Sequence, residues 1–199
     1  TVPSLINTFP VQTGDTIFVP AGCVHAMGAG LVVCEMQENS DTTYRVYDWG
    51  RKGPDGKPRQ LHIEQALEVI NFGDTSPEKT SPFEWAEGRN RRTMLVACRY
   101  FAAELLELAE PARETTAAKR LDTFMVLAGV AAVKTSDFED VAVAAGDSFL
   151  VPACTGEYAI IPDGRCSLLK VFVPDIEEEI QRLRSAGAPE EHIHKVVFE

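Results

Sequence analysis

The chain has 199 residues, 19 basic and 30 acidic side chains, a formal net charge of −11 and 45% hydrophobic residues. This is a folding composition, long enough for one substantial core or two small ones, and it excludes disorder over most of the length. The acidic balance excludes a nucleic-acid surface, which needs clustered Lys and Arg, and no apolar run reaches the roughly 18 residues that span a bilayer.

In chain order, the first 50 residues read as short strands with turn chemistry between them. They fall at 5–9, then after Gly14-Asp15 at 16–19, after the break Pro20-Ala21-Gly22 at 31–37, and at 43–49, where Tyr, Val and Thr favour a pleated surface. Residues 50–60 are a polar loop punctuated by Gly and Pro. Apolar residues at 63, 66, 67 and 70 predict a helix within 61–72, stopped by Gly73. Residues 73–92 are the best linker, and Arg89, Arg91 and Arg92 with Glu84 and Glu87 read as a solvated loop. Strands resume at 93–101, 123–127, 131–134, 148–151, 157–161 and 167–173, and the ambiguous AAELLELAE at 102–110 is assigned to a strand by its position. Asp175 with Glu178 is an N-cap signature for a helix carrying Ile176, Ile180 and Leu183 on one face and ending at Gly187. The closing HKVVF is either a short strand or a loose end.

The five cysteines, Cys23, Cys34, Cys98, Cys154 and Cys166, form no C-x-x-C pair and read as free thiols, most simply small core residues in a reducing compartment. No signal peptide is visible, so the expected location is the cytoplasm. The chain opens without Met, almost directly in a strand-like stretch, and an N-terminal portion is expected to be missing.

An internal repeat sets the architecture. GDTIFVPA at 14–21 recurs as GDSFLVPA at 146–153, an offset of 132. Two copies of a turn–strand–Pro unit, each among short strands, predict two β-barrels or sandwiches of one kind.

Gly14, five residues, Pro20-Ala21-Gly22, two residues and His25 resemble the second conserved motif of the cupin superfamily, whose final His binds a metal inside the barrel. The stretch EMQENSDTTYRVYDW at 35–49, followed by PRQLH at 58–62, resembles the type I mannose-6-phosphate isomerases in their short bacterial form. The likeness is close over about 5–72 and weaker to about 173. It implies a mainly β fold of cupin jelly-roll barrels with a short connecting helix and a C-terminal helix. Residues 1–50 would be the C-terminal part of a first, metal-binding and incomplete barrel. Residues 51–92 would be loop, helix and linker, 93–173 a second, degenerate barrel, and 174–199 a helical extension. The resemblance further implies interconversion of mannose 6-phosphate and fructose 6-phosphate through a metal-stabilised cis-enediolate. It assigns a metal-ligand role to His25 for zinc or another divalent ion, a catalytic electrostatic role to Arg45, and the pocket wall to Asn39, Ser40 and Asp41. The family's other ligands lie upstream of Gly14 and are absent from these residues, so the metal site is incomplete and the chain alone is expected to be inactive. In the second copy Cys154 replaces Gly22 and Glu157 replaces His25, which reads as a structural barrel or a dimer or lid surface. The implied partners are a phosphosugar substrate and a second copy as homodimer, with neither nucleic acid nor membrane.

Plainer readings stand beside these. Arg45 among strand residues also suits an exposed alternate position or an ion pair with Asp41 or Asp48. His62 reads as a cap or packing residue, His192 and His194 as a solvated tail, and Glu177, Glu178 and Glu179 as a solvated helix face. A metal-free cupin that binds a sugar phosphate, or a structural dimerising fragment, is the alternative function.

Overall fold

The computed structural model describes residues 2–73, 79–116 and 119–198. The chain divides into two compact units, Thr1–Lys79 and Thr80–Glu199. Among the described residues no helix is long and apolar enough to cross a membrane.

In the first unit the sequence yields one α-helix, α1 (Ile63–Val69), inside the window that its apolar spacing marks. The strands expected at 5–9, 16–19, 31–37 and 43–49 do not form; the described pairings are two isolated bridges, Ile17 with Lys79 and Lys52 with Pro58. A β-favouring composition expresses a fit to a half-buried pleated surface, and it needs a neighbouring strand to take its backbone groups. No such neighbour lies alongside these segments among the described residues. Leu5 is 85% and Val32 102% exposed as a result.

The second unit is mainly β, as expected. Its strands are β1 (Phe83–Glu87), β2 (Asn90–Cys98), β3 (Ala102–Leu108), β4 (Ala112–Thr115), β5 (Asp122–Ala128), β6 (Val130–Thr135), β7 (Val141–Ala144), β8 (Ser148–Val151), β9 (Glu157–Pro162), β10 (Cys166–Phe172) and β11 (Val197–Phe198). One sheet runs β1-β2-β3-β10-β5-β8 with β11 also on β2; the other runs β4-β9-β6-β7. All described pairings between strands are antiparallel except β11 on β2. A core of Leu106, Leu108, Phe124, Val126, Val133, Ile160 and Leu168, among others, fills this unit. The helix-favouring AAELLEL is a strand because its period-two face, Ala102, Glu104, Leu106 and Leu108, is buried and both flanks are paired. Residues 83–87 and 90–92 are strand, not linker: β1 pairs with β2, which puts the division between the units before residue 83.

Strand alternation also turns charges inward. Glu104 shares a face with Leu106, Lys170 with Leu168, Asp122 with Phe124, Glu114 with Ala112, and each of these apolar partners belongs to the core. A buried charge must be paired, and here the pairing closes on itself. Arg92 bonds Glu104 at 2.8 Å; Glu104 bonds Arg182; Arg182 lies 2.5 Å from Glu179; Glu179 lies 3.3 Å from Arg120. Arg120 then lies 3.5 Å from Asp122, Asp122 3.0 Å from Lys170, Lys170 2.7 Å from Glu114, and Glu114 bonds Arg92. Four cations and four carboxylates alternate round a closed circuit. Tyr158 donates to Asp122 at 2.6 Å, and burial followed by the Asp122 charge pushes its phenol pKa up, so it remains a neutral donor. Arg120 and Lys170 also lie over the Phe172 ring, at 3.9 and 5.2 Å.

Two of the eight charges come from α2 (Ile176–Ser185). Asp175 caps it by accepting from the Glu178 N–H at 3.2 Å, as expected, and Gly187 at φ 89° follows its end. Glu179 and Arg182 are one turn apart and enter the circuit, while Ile176, Ile180 and Leu183 pack with Met94, Ala97, Phe172, Ile193 and Val196. The solvated readings of Arg92 and Glu179 are therefore overturned: they are 7% and 3% exposed. HKVVF is mostly helix, α3 (Glu190–Val196), and only β11 is strand.

Burial pushes the Glu114 carboxyl up, but Lys170 and Arg92 more than offset it and leave its pKa below the ordinary value. Burial raises Glu179, and Arg120 offsets this only in part. Burial, with the neighbouring Arg92, lowers Arg182 to about 10, still protonated at neutral pH. The signs differ. Glu114 contributes stability present above the unfolded pKa near 4.5 and lost as pH falls through its lower folded value. Glu179 contributes stability present below 4.5 and lost as pH rises through its higher folded value. Glu114→Gln should flatten the pH profile of urea unfolding on the acid side, and Glu179→Gln on the side above 4.5. Lys170→Met leaves two buried carboxylates without their shared cation and should cost about 3–5 kcal/mol. Arg89→Ala, which removes an exposed pair with Glu110, should cost no more than about 1 kcal/mol in the same assay.

Candidate functional site

The residues singled out by the motif lie in the first unit. Gly14 adopts φ 93°, and the Asp15 carboxylate accepts the Gln12 N–H at 2.7 Å and pairs with Lys79 at 2.7 Å. The hydrogen bond from Lys79, then that from Gln12, lowers the Asp15 pKa. The second copy of the repeat makes the same turn: Gly146 adopts φ 95° and Asp147 accepts the Ala144 N–H at 2.8 Å. Both copies then bend back onto their proline, through Cys23 N–H to Pro20 O at 3.2 Å and Thr155 N–H to Pro152 O at 3.1 Å. The repeat in the sequence is thus a repeat of local geometry.

Gly22 adopts φ 82° against the end of α1, where Asn71 N–H donates to Gly22 O at 3.0 Å. A Cβ there would stand 2.5 Å from Val69 O. Three residues on, His25 is exposed, with Nδ1 3.0 Å from Cys23 O. A carbonyl only accepts, so Nδ1 carries the proton and Nε2 presents a lone pair, the arrangement that orients a histidine as a metal ligand.

Asn39, Ser40 and Asp41 are exposed and form a tight polar turn. Gln37 donates to Ser40 O at 3.0 Å, and Thr42 N–H donates to Ser40 Oγ at 3.2 Å. Arg45 is half-buried and tied at several points. Its N–H donates to His62 Nδ1 at 3.1 Å, its carbonyl accepts the His62 N–H at 2.8 Å, and Nη1 donates to Gln60 O at 3.1 Å. Asp48 lies 3.9 Å from Arg45 Nε, so the plain reading of an Arg45–Asp48 pair holds only loosely. Asp48 itself is buried and gripped by both arms of Arg59, which lower its pKa. Immediately after it Trp49 stands at φ 51°, a left-handed conformation that bulky residues rarely adopt, with Tyr47 edge-on at 5.0 Å.

His25 and Arg45 share no hydrogen bond among the described residues, and no three His, Cys, Asp or Glu side chains there group as a metal site. The described residues therefore do not by themselves fit a metal ion. His62, read as a cap or packing residue, makes no side-chain cap on α1 and binds Arg45 instead. Asp48, Arg59 and Gln60 complete the surroundings of Arg45; of these the sequence offers only Asp48, as a plain ion-pair partner. In the second copy Glu157 is exposed at the start of β9, away from any group of metal donors among the described residues.

Residues 91–173 match the model of the mannose-6-phosphate isomerase cupin domain. The chain is 35% identical over 148 residues to the mannose-6-phosphate isomerase of Streptococcus mutans, covering 74% of this chain and 46% of that one. It is 42% identical over 98 residues to the mannose-6-phosphate isomerase ManA of Bacillus subtilis, covering 49% and 31%. The crystal structure of the mannose 6-phosphate isomerase from Bacillus subtilis superposes with a TM-score of 0.58 at 26% identity, over 67% of this chain and 41% of that one. The chain spans less than half the length of each of these proteins.

Gly22→Ala should destabilise the first unit by at least about 1–2 kcal/mol, because both the positive φ and the contact with Val69 O resist a methyl group. Gly14→Ala, where the Cβ would meet nothing within 4 Å, isolates the φ cost. The comparison is read from thermal unfolding of the two variants.

Proposed function

Because the chain belongs to the cupin-type mannose-6-phosphate isomerases, we propose that the protein carrying it interconverts mannose 6-phosphate and fructose 6-phosphate. The reaction moves a carbonyl between C1 and C2. A base removes the proton from the carbon next to the carbonyl, and the resulting cis-enediolate holds more negative charge on oxygen than either sugar. Preorganised cationic donors aimed at that oxygen lower the barrier, because they need no reorganisation as the charge develops.

The observation that carries the proposal is the anchoring of Arg45. Its Nη1 is held by Gln60 O and its Nε lies 3.9 Å from Asp48, while its main chain is bonded on both sides to His62. Arg45 Nη2 has no hydrogen-bond partner among the described residues, which leaves this end of the planar guanidinium as a donor for substrate oxygens in our reading. Asn39, Ser40 and Asp41 supply an exposed polar turn suited to sugar hydroxyls. His25, through Nε2, is one donor for a divalent ion, zinc in our reading; when bound, such an ion polarises a carbonyl as a Lewis acid.

Steady-state kinetics of the protein carrying this chain tests the reading. Arg45→Ala should lower kcat and kcat/KM together by about 100- to 1000-fold with KM little changed. Arg45→Lys should recover little, since an ammonium lacks the fork. A large rise in KM with kcat preserved would make Arg45 a phosphate clamp instead. Among the described residues no group of three metal donors joins His25, where a zinc site needs three or four; the 199 residues alone should hold zinc weakly in equilibrium dialysis and turn over little sugar phosphate in a coupled assay.

A further inference from the structure

We propose that His62 is a positioning residue for Arg45, a role that rests on the isomerase reading above. His62 stands at the N-cap position of α1 but offers its side chain nothing there to hold: no side-chain cap is made. Cap positions favour Ser, Thr, Asp and Asn, whose short oxygens reach the free N–H groups of the first turn. An imidazole is a poor substitute, and in this chain the ring is used elsewhere.

That use is specific. The Arg45 N–H donates to His62 Nδ1 at 3.1 Å, across 17 positions of sequence. An amide N–H only donates, so Nδ1 is the acceptor and the ring proton resides on Nε2. The His62 N–H closes the exchange by donating to Arg45 O at 2.8 Å, and the Tyr44 ring stands tilted 6.1 Å from the imidazole. Both main-chain polar groups of Arg45 are therefore satisfied by one residue at the start of a helix. Gln60, two positions before His62, takes Nη1. The side chain of Arg45 thus leaves a backbone held at both polar groups and meets a second hold at its guanidinium, through Nη1. This is how a flexible arginine is held near a single productive geometry. Nothing in this arrangement gives His62 access to the reacting atoms. Its effect passes through Arg45.

Two isosteres separate the acceptor from the ring. Asn places its Oδ1 where Nδ1 stands, whereas Gln carries its acceptor one bond further out, at the Nε2 position. In the protein carrying this chain, His62→Asn should keep kcat within about threefold, and His62→Gln should lower it about 10- to 30-fold with KM within about twofold, the signature of misplaced transition-state contacts. In an Arg45→Ala background His62→Gln should change kcat less than about twofold, because the partner through which it acts is gone. Hydrogen exchange of the Arg45 amide should accelerate at least about tenfold in His62→Gln and stay protected in His62→Asn, and nitrogen NMR should find the wild-type ring protonated at Nε2. An equal loss in Asn and Gln variants, a full additive loss in the Arg45→Ala background, or a ring protonated at Nδ1 overturns the proposal. If the protein shows no isomerase turnover, the isomerase reading fails, and the catalytic part of the role fails with it. The exchange and NMR measurements still decide whether His62 holds Arg45.

Discussion

Eight alternating charges in a closed circuit hold the second unit together. Strand alternation obliges Glu104, Glu114, Asp122 and Lys170 to face inward beside Leu106, Ala112, Phe124 and Leu168. None of these charges is tolerable alone, since an unpaired buried ion costs several kcal/mol. Arg92 and Arg120 bring the count to three cations and three carboxylates, but the chain of pairs is then open, with Glu104 and Arg120 at its ends. Glu179 and Arg182 of α2 join those ends. The C-terminal helix is consequently part of this unit rather than an appendage, and the apolar contacts of Ile176, Ile180 and Leu183 set it at the distance that the ion pairs require.

The two copies of the repeat show what a local sequence fixes and what it leaves to its surroundings. In each, a glycine near φ 94° and an aspartate that accepts an N–H three residues back make one turn, and in each the chain folds back on its proline. Only in the second do the intervening residues become a strand, because β5 lies alongside to complete the ladder. In the first, the same residues make a single bridge to Lys79. Local hydrogen bonds form wherever the residues are; ladders need a partner.

Legibility followed the same division. The caps and turns were readable, since Asp175, Gly187, Gly14 and Gly146 act within three or four residues of themselves. Most strands of the second unit were readable from period-two patterns, and Ala102–Leu108 was readable only from its place between strands. Phe83–Glu87 and Ala112–Thr115 were missed because charged residues interrupt short segments, and Val141–Ala144 because four residues are too few to show a period. The buried roles of Arg92 and Glu179 were invisible for a stronger reason: a charge beside other charges looks solvated until the partners, up to 59 positions away, are known. Around Arg45 the motif singled out the arginine, but its contact with His62 became apparent only from the distance between the Arg45 main chain and the imidazole.

The account stands or falls on whether Arg45 recognises the enediolate rather than the sugar phosphate. The direct measurement is the inhibition constant of a planar hydroxamate analogue of the enediolate bearing the same phosphate, compared between wild type and a series of Arg45 variants. If Arg45 acts on the transition state, the analogue's affinity falls across the series in proportion to kcat/KM, since a mimic of the transition state loses what the transition state loses. If the analogue's affinity instead follows KM, or is unchanged while kcat/KM collapses, Arg45 does not stabilise the enediolate and the central claim is contradicted.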